Sequence, residues 1–440
     1  MKISLKAKRI LCCVLTAALL AVSLCGLSAL LENKASKAQF ERFYKSETGY
    51  DVLFFGASHM QNALNPIILW QECGIASYNT AFVAARMSYG YWIAKNSFPD
   101  RQPSLVVIDC AYLTNDWKHA ASYWPSHVAF DAMPMSVGKI QAIWDLFGDD
   151  SEERMRYLFP LTASHYRWSS LTKEDFEIDY TVMGFLPFLT VEEAELRFAS
   201  ADPEVEVDSA TTYYLRMLIE ECQSRGIDVL LTTVPYEANE ESLLGMSYTY
   251  KLAEEYGVPY LDAESVAQFL NSKTDFMNSF EDNSHLNVSG TEKFSRFMAD
   301  YISENYDIPD HRPDERYAVW DVYTEEYYEE LDGMVGSAGS AAEIITLLNA
   351  GIHSVYIELC SDELLSQELM PDCMENVGID VEKLRAAGCA LVSPEGIVYG
   401  EAARASDTYA AFTDEIGAVE DAFSIFAVTR GGKPVGMRTF

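Results

Sequence analysis

Short, almost wholly apolar runs alternate with amphipathic stretches through the middle of this chain. Asp51–Phe55, Ile75–Tyr78, Leu105–Ile108, Asp228–Thr232 and Pro259–Leu261 have the length and composition of buried strands. Between and after them, apolar residues recur at helical spacing in Pro66–Cys73, Ala85–Phe98, Thr211–Arg225, Glu240–Tyr256 and Ser289–Ser303, the last carrying Phe294, Phe297, Met298 and Tyr301. Ser224-Arg225-Gly226-Ile227-Asp228 reads as a helix end, a glycine cap and a strand start. Strands that are apolar on both sides, separated by helices, predict an α/β domain with a parallel sheet covered on both faces, spanning residues 45–306.

Two regions break the alternation. From Lys118 to Asp208 it lapses for much longer than an ordinary loop, and aromatics are dense: Tyr123, Trp124, Phe130, Trp144, Phe147, Tyr157, Phe159, Tyr166 and Trp168. An insertion after the third strand is expected to hang over the sheet's carboxyl edge as a lid or acceptor-binding subdomain, with Arg167 and Trp168 as a cation and aromatic pair suited to sugar rings. After Tyr306 a linker rich in Pro and charge leads to a different region, residues 315–440. There a helical pattern at Ala341–Asn349, a strand at Ser354–Leu359, a helix at Asp380–Ala387 and strands at Ala390–Ser393, Ile397–Tyr399 and Phe423–Thr429 predict a small α+β module. Pro394-Glu395-Gly396 reads as a tight hairpin turn within it.

The amino terminus adds a membrane element. Lys2, Lys6, Lys8 and Arg9 precede a run without charge from Ile10 to Leu31, and a bilayer-spanning helix takes about 20 residues. Basic residues before the span and Glu32 after it favour a cytoplasmic tip and an extracytoplasmic bulk, so residues 1–38 are expected to be an uncleaved single-pass anchor in the plasma membrane.

The 67 acidic residues against 32 basic ones, a formal net charge of −35, exclude nucleic acid as a partner, because phosphate neutralisation needs clustered Lys and Arg. The same field repels polyanions over about 8 Å at physiological salt, which tilts the expectation toward neutral or cationic partners. The nine cysteines form neither a close-spaced metal pattern nor a disulfide framework, and the sequence implies no cofactor or metal.

Chemistry concentrates in two short stretches far apart in the chain. Gly56-Ala57-Ser58-His59 follows the first apolar run, so Ser58 is expected at the carboxyl end of a buried strand, where open α/β sheets bind ligands. Asp282-Asn283-Ser284-His285 stands just before a helix. A serine hydroxyl becomes a nucleophile when an imidazole takes its proton, and the imidazole needs an acceptor on its other nitrogen. Ser58, His285 and Asp282 supply those three groups. The bland alternative is a helix-capping serine and a loop histidine.

An early Gly-x-Ser after the first strand and a late Asp-x-x-His before the last helix resemble the SGNH (GDSL-like) hydrolase superfamily, over Asp51 to Tyr306. The resemblance implies a flavodoxin-like parallel sheet and a serine esterase or acyltransferase. It also implies two oxyanion donors besides the Ser58 N–H, and here the sequence departs from the pattern. After the second strand it reads Asn79-Thr80-Ala81-Phe82 without the usual Gly, and the Asn-Asp pair arrives late, as Leu113-Thr114-Asn115-Asp116. Asn79 and Asn115 are the candidate donors. The Ser58-His59 start is similar to the extracytoplasmic branch that assists membrane-bound O-acyltransferases in modifying cell-wall or exported polysaccharides. That likeness implies an acylated carbohydrate or glycan substrate and an acyltransferase partner in the membrane. His59 and Tyr236, which leaves the fourth strand on the edge that carries Ser58, join Arg167 and Trp168 as expected substrate contacts.

Overall fold

The computed structural model describes residues 4–120, 124–176, 181–270, 282, 284–367, 369–419 and 422–440. Tyr123 and Asn283, both named above, lie outside them. Five strands form the first sheet: β1 Val52–Phe55, β2 Ser77–Asn79, β3 Leu105–Asp109, β4 Asp228–Thr232 and β5 Tyr260–Leu261. All are parallel, in the order β2-β1-β3-β4-β5 of flavodoxin-like doubly wound sheets.

The interiors of β1, β3 and β4 are apolar because both faces of the sheet are covered. Val52, Phe54, Leu105, Val107 and Leu230 point to one side, where they meet Leu69 of helix Pro66–Cys73 and Phe294, Met298 and Ile302 of helix Val288–Asn305. Leu53, Phe55, Val106, Ile108, Val229 and Leu231 point to the other, against helices Met87–Ser97, Ala210–Ser224 and Glu240–Tyr256. Successive side chains of a strand alternate faces, so each strand feeds two cores at once. Caps set the helix ends. Asn65 accepts from the Ile67 N–H ahead of Pro66, Ser209 accepts from Thr212, and Asn239 accepts from Ser242.

The second strand begins two residues later than the apolar run suggests, because Asn79 rather than Ile75 is drawn into register, opposite Phe54. The carboxyl-terminal module holds a five-stranded antiparallel sheet in the order β10-β9-β6-β7-β8, built from β6 His353–Leu359, β7 Cys389–Ser393, β8 Gly396–Tyr399, β9 Ser424–Arg430 and β10 Lys433–Thr439. The last strand was not legible in the sequence. It forms because Gly431 and Gly432, with φ of 56° and 76°, make a two-residue reversal that residues with a Cβ resist. The helix Val319–Ser337 was also not anticipated. It joins the two units: Trp320 stacks on Trp70 at 5.0 Å, while Val335 lies against Gly436 of β10.

Among the described residues one helix, Leu5–Leu31, is long and apolar enough to cross a membrane, with a mean hydropathy of 2.6 in its most apolar window. The chain after it is built into the fold. The Ser36 hydroxyl donates to Asp131, and the Gln39 amide donates to the carbonyls of Ala81 and Gly184. Among its described residues the insertion does not form the expected lid. Its short helices, Trp124–Phe130, Val137–Leu146, Ser151–Leu158 and Leu161–Ser164, pack on helix Met87–Ser97 and around the end of Leu5–Leu31. The return segment approaches the carboxyl edge of the sheet. There Asn62 donates to the Leu186 carbonyl and Asn287 to that of Thr190.

Candidate active site

β1 ends at Phe55 and a helix begins at Ser58, which leaves Gly56 and Ala57 to make the turn. A Cβ at Gly56 would meet the Met60 Cβ at 2.8 Å and the Asp109 Cβ at 3.0 Å, closer than real contacts allow. Glycine is therefore required by the approach of Met60 and of β3, and the tight turn sets Ser58 at the first helical position. The amide N–H there has no partner within its own helix.

Asp282 and His285 are held by a local loop. One Asp282 oxygen, Oδ1, accepts the backbone N–H groups of Ser284 and His285 at 2.6 and 2.8 Å. The other, Oδ2, lies 2.9 Å from His285 Nδ1. His285 Nε2 lies 2.8 Å from Ser58 Oγ. Partial burial raises the Asp282 pKa, but the hydrogen bonds from His285 and the Ser284 N–H outweigh it and hold the carboxyl below the usual range. It is thus an ionised acceptor at neutral pH, which fixes the proton on Nδ1 and leaves Nε2 to accept from Ser58. Asn287, two residues on, caps helix Val288–Asn305 by accepting from the Gly290 N–H, so the loop is anchored at its exit.

The other expected site residues fall elsewhere. Asn79 is buried, and its amide nitrogen donates to the carbonyls of Met60 and Leu64, each at 2.8 Å, while its oxygen accepts from the Ala81 N–H. Both donors are committed to the end of the Ser58–Ala63 helix, so Asn79 is a brace and not an oxyanion donor. Asn115 does line the cavity beside Gly56 and Ala57, with its Oδ1 accepting from the Trp117 N–H at 2.9 Å.

His59 offers no surface to a substrate, being 0% exposed. Its ring stacks under Tyr112 at 4.8 Å, meets Tyr236 at 4.4 Å, and faces His285 at 5.4 Å. Burial, with a contribution from His285, pushes its pKa down to about 3, so it is neutral and forms a wall. Tyr236 is buried too, with its hydroxyl donating to the Ala111 carbonyl. Arg167 and Trp168 are at the base of the apolar helix. The Arg167 guanidinium donates to the Leu31 and Glu32 carbonyls at 3.2 and 2.7 Å and pairs with Asp175, and Trp168 is 74% exposed. Sequence adjacency of a cation and an aromatic carried no information about which end of the molecule they occupy.

Three ionisable cavity residues escaped the sequence reading: Arg86, Asp109 and Tyr112. Asp109 is the last residue of β3, buried, and burial pushes its carboxyl up to about 7 despite the Val234 N–H that donates to it. A polar residue ending an apolar strand was the one available signal. Tyr112 touches the site through its hydroxyl, 3.2 Å from His59 Nε2.

No family model matches the sequence, and no curated relative matches it. Among solved structures, a gut microbial diltiazem-metabolizing enzyme, BT4096, aligns with a TM-score of 0.30 at 10% identity, over 58% of this chain. The chain spans 46% of that structure's length.

Proposed function

We propose that this chain is a membrane-anchored, extracytoplasmic serine-dependent acyl-ester hydrolase or O-acyltransferase of SGNH type, acting on a cell-surface or exported glycan. The observation that carries the reading is the continuous relay from Ser58 Oγ through His285 to Asp282. Ser58 Oγ attacks the ester carbonyl carbon as its proton passes to His285 Nε2. The oxyanion faces the Ser58 N–H, at the positive end of its helix. The C–O bond to the leaving alcohol breaks, and that alcohol takes the proton from His285. An acceptor hydroxyl then loses its proton to His285, attacks the acyl-serine and frees Ser58. Water as acceptor gives an O-acetylesterase, and a sugar hydroxyl gives an O-acetyltransferase. Asp282 keeps the imidazole oriented throughout.

The commitment of Asn79 to backbone carbonyls supports a second reading, a non-catalytic scaffold of the same fold that binds glycan or a membrane-bound O-acyltransferase. A fluorophosphonate probe separates the two. Labelling of the wild type and not of Ser58→Ala is expected for the enzyme; no labelling at high protein concentration leaves the scaffold.

A further inference from the structure

Beside Ser58 the turn residues Gly56 and Ala57 form one wall of a cavity whose other walls carry Arg86, Asp109, Tyr112 and Asn115. Arg86 stands immediately before helix Met87–Ser97, its backbone carbonyl accepts from Tyr89 and Gly90, and the residue lines the cavity. Among the described residues it is the one arginine outside the apolar helix whose side chain makes neither a hydrogen bond nor an ion pair, and its Nε is buried without a partner. In a chain of net charge −35 the other described arginines outside the apolar helix are held by carboxylates or backbone carbonyls. A buried guanidinium N–H left empty at the edge of a site is costly unless something else fills it.

We infer that Arg86 binds an anionic group of the substrate, a carboxylate or a phosphate carried on the sugar or alcohol side of the scissile ester. The planar guanidinium matches either oxyanion through paired N–H donors, and Tyr112 and Asn115 line the same cavity. Asp109 shares the cavity. Burial pushes its carboxyl up to about 7, which weakens the competing charge below that pH. The unfavourable field of the whole chain is screened over about 8 Å, whereas a guanidinium within the cavity acts at contact distance. This assignment reverses the expectation of a neutral or cationic glycan, and it rests on the serine chemistry proposed above.

The test compares phenyl acetates whose ring carries no charge, a carboxylate or a phosphate, using the full chain. Wild type is expected to prefer at least one charged ester, and the preferred arm distinguishes a uronate-like carboxylate from a sugar or polyol phosphate. Arg86→Ala is expected to lower the charged-to-neutral ratio of kcat/KM by about tenfold to a hundredfold, with Arg86→Lys restoring part of it. A ratio unchanged in both variants while wild type still turns over esters overturns the inference and leaves the proposed function standing. Absence of turnover together with absence of fluorophosphonate labelling at Ser58 overturns both.

Discussion

Ser58 Oγ and His285 Nε2 stand 2.8 Å apart although 227 positions separate them in the chain. The contact exists because β1 and the loop before helix Val288–Asn305 both end at the carboxyl edge of one parallel sheet. If it is a working hydrogen bond, either partner's removal should be nearly as damaging as loss of both. His285→Gln and Asp282→Asn are each expected to lower kcat on an aryl acetate by on the order of a thousandfold or more. Steady-state hydrolysis measures this, and unchanged turnover in His285→Gln would remove His285 from the base role.

Asn79 gives the opposite expectation. Replacing it with Ala takes the donor from the Leu64 carbonyl and leaves the Met60 carbonyl only the Leu64 N–H, at a cost of about 1–3 kcal/mol in unfolding free energy. Urea denaturation reads the loss. A variant of wild-type stability whose kcat has fallen a hundredfold would return Asn79 to the oxyanion hole.

The buried carboxyl of Asp109 sets a pH dependence of stability. Its folded pKa of about 7 stands above the ordinary carboxylate value of 3.8, so the folded state binds the proton more tightly than the unfolded chain. That contribution is full below about pH 4 and is lost as pH rises through 7, on the order of 4 kcal/mol in total. The phenols facing it, Tyr112 and Tyr236, are both raised by burial and stay neutral across this window. Asp109→Asn is therefore expected to be more stable than wild type at pH 8 and no more stable at pH 4. Thermal melting at the two values checks the sign, and equal shifts at both would refute it.

Arg167 ties the folded part to the last carbonyls of the apolar helix. Arg167→Ala, in bilayer-reconstituted protein, is expected to raise the rate of proteolysis between Leu31 and Ala38 severalfold while aryl acetate turnover stays within about twofold of wild type. A selective loss of turnover on a glycan ester would restore Arg167 to substrate binding.

Outward topology has its own test. Protease applied to intact cells is expected to remove the bulk of the chain, leaving a fragment that contains Leu5–Leu31. Complete protection would place the bulk on the inner side.

Much of the first sheet and the pieces of the relay could be read from the linear pattern. Apolar runs gave the parallel strands to within about two residues, and Asn65, Ser209 and Asn239 punctuate the helices through bonds to residues two or three positions away. Asp282 and His285 sit in one short loop, so their pairing is also local. The β10 strand and helix Val319–Ser337 were harder to read, since one depends on a double-glycine turn and the other carries apolar residues on both of its packing surfaces.

What the sequence by itself determined is therefore the alternation of strand and helix, the apolar span at the amino terminus and the presence of a serine, a histidine and a carboxylate at strand and helix boundaries. These depend on bonds and packing periods of two to four residues. Only the tertiary structure decided that Asn79 braces a helix end, that Arg167 and Trp168 lie at the base of the apolar helix, that His59 is a buried wall and that Arg86 stands unpaired at the cavity lined by Gly56 and Ala57. Strand order and the path of a long insertion set those relationships, and neither leaves a periodic trace in the chain.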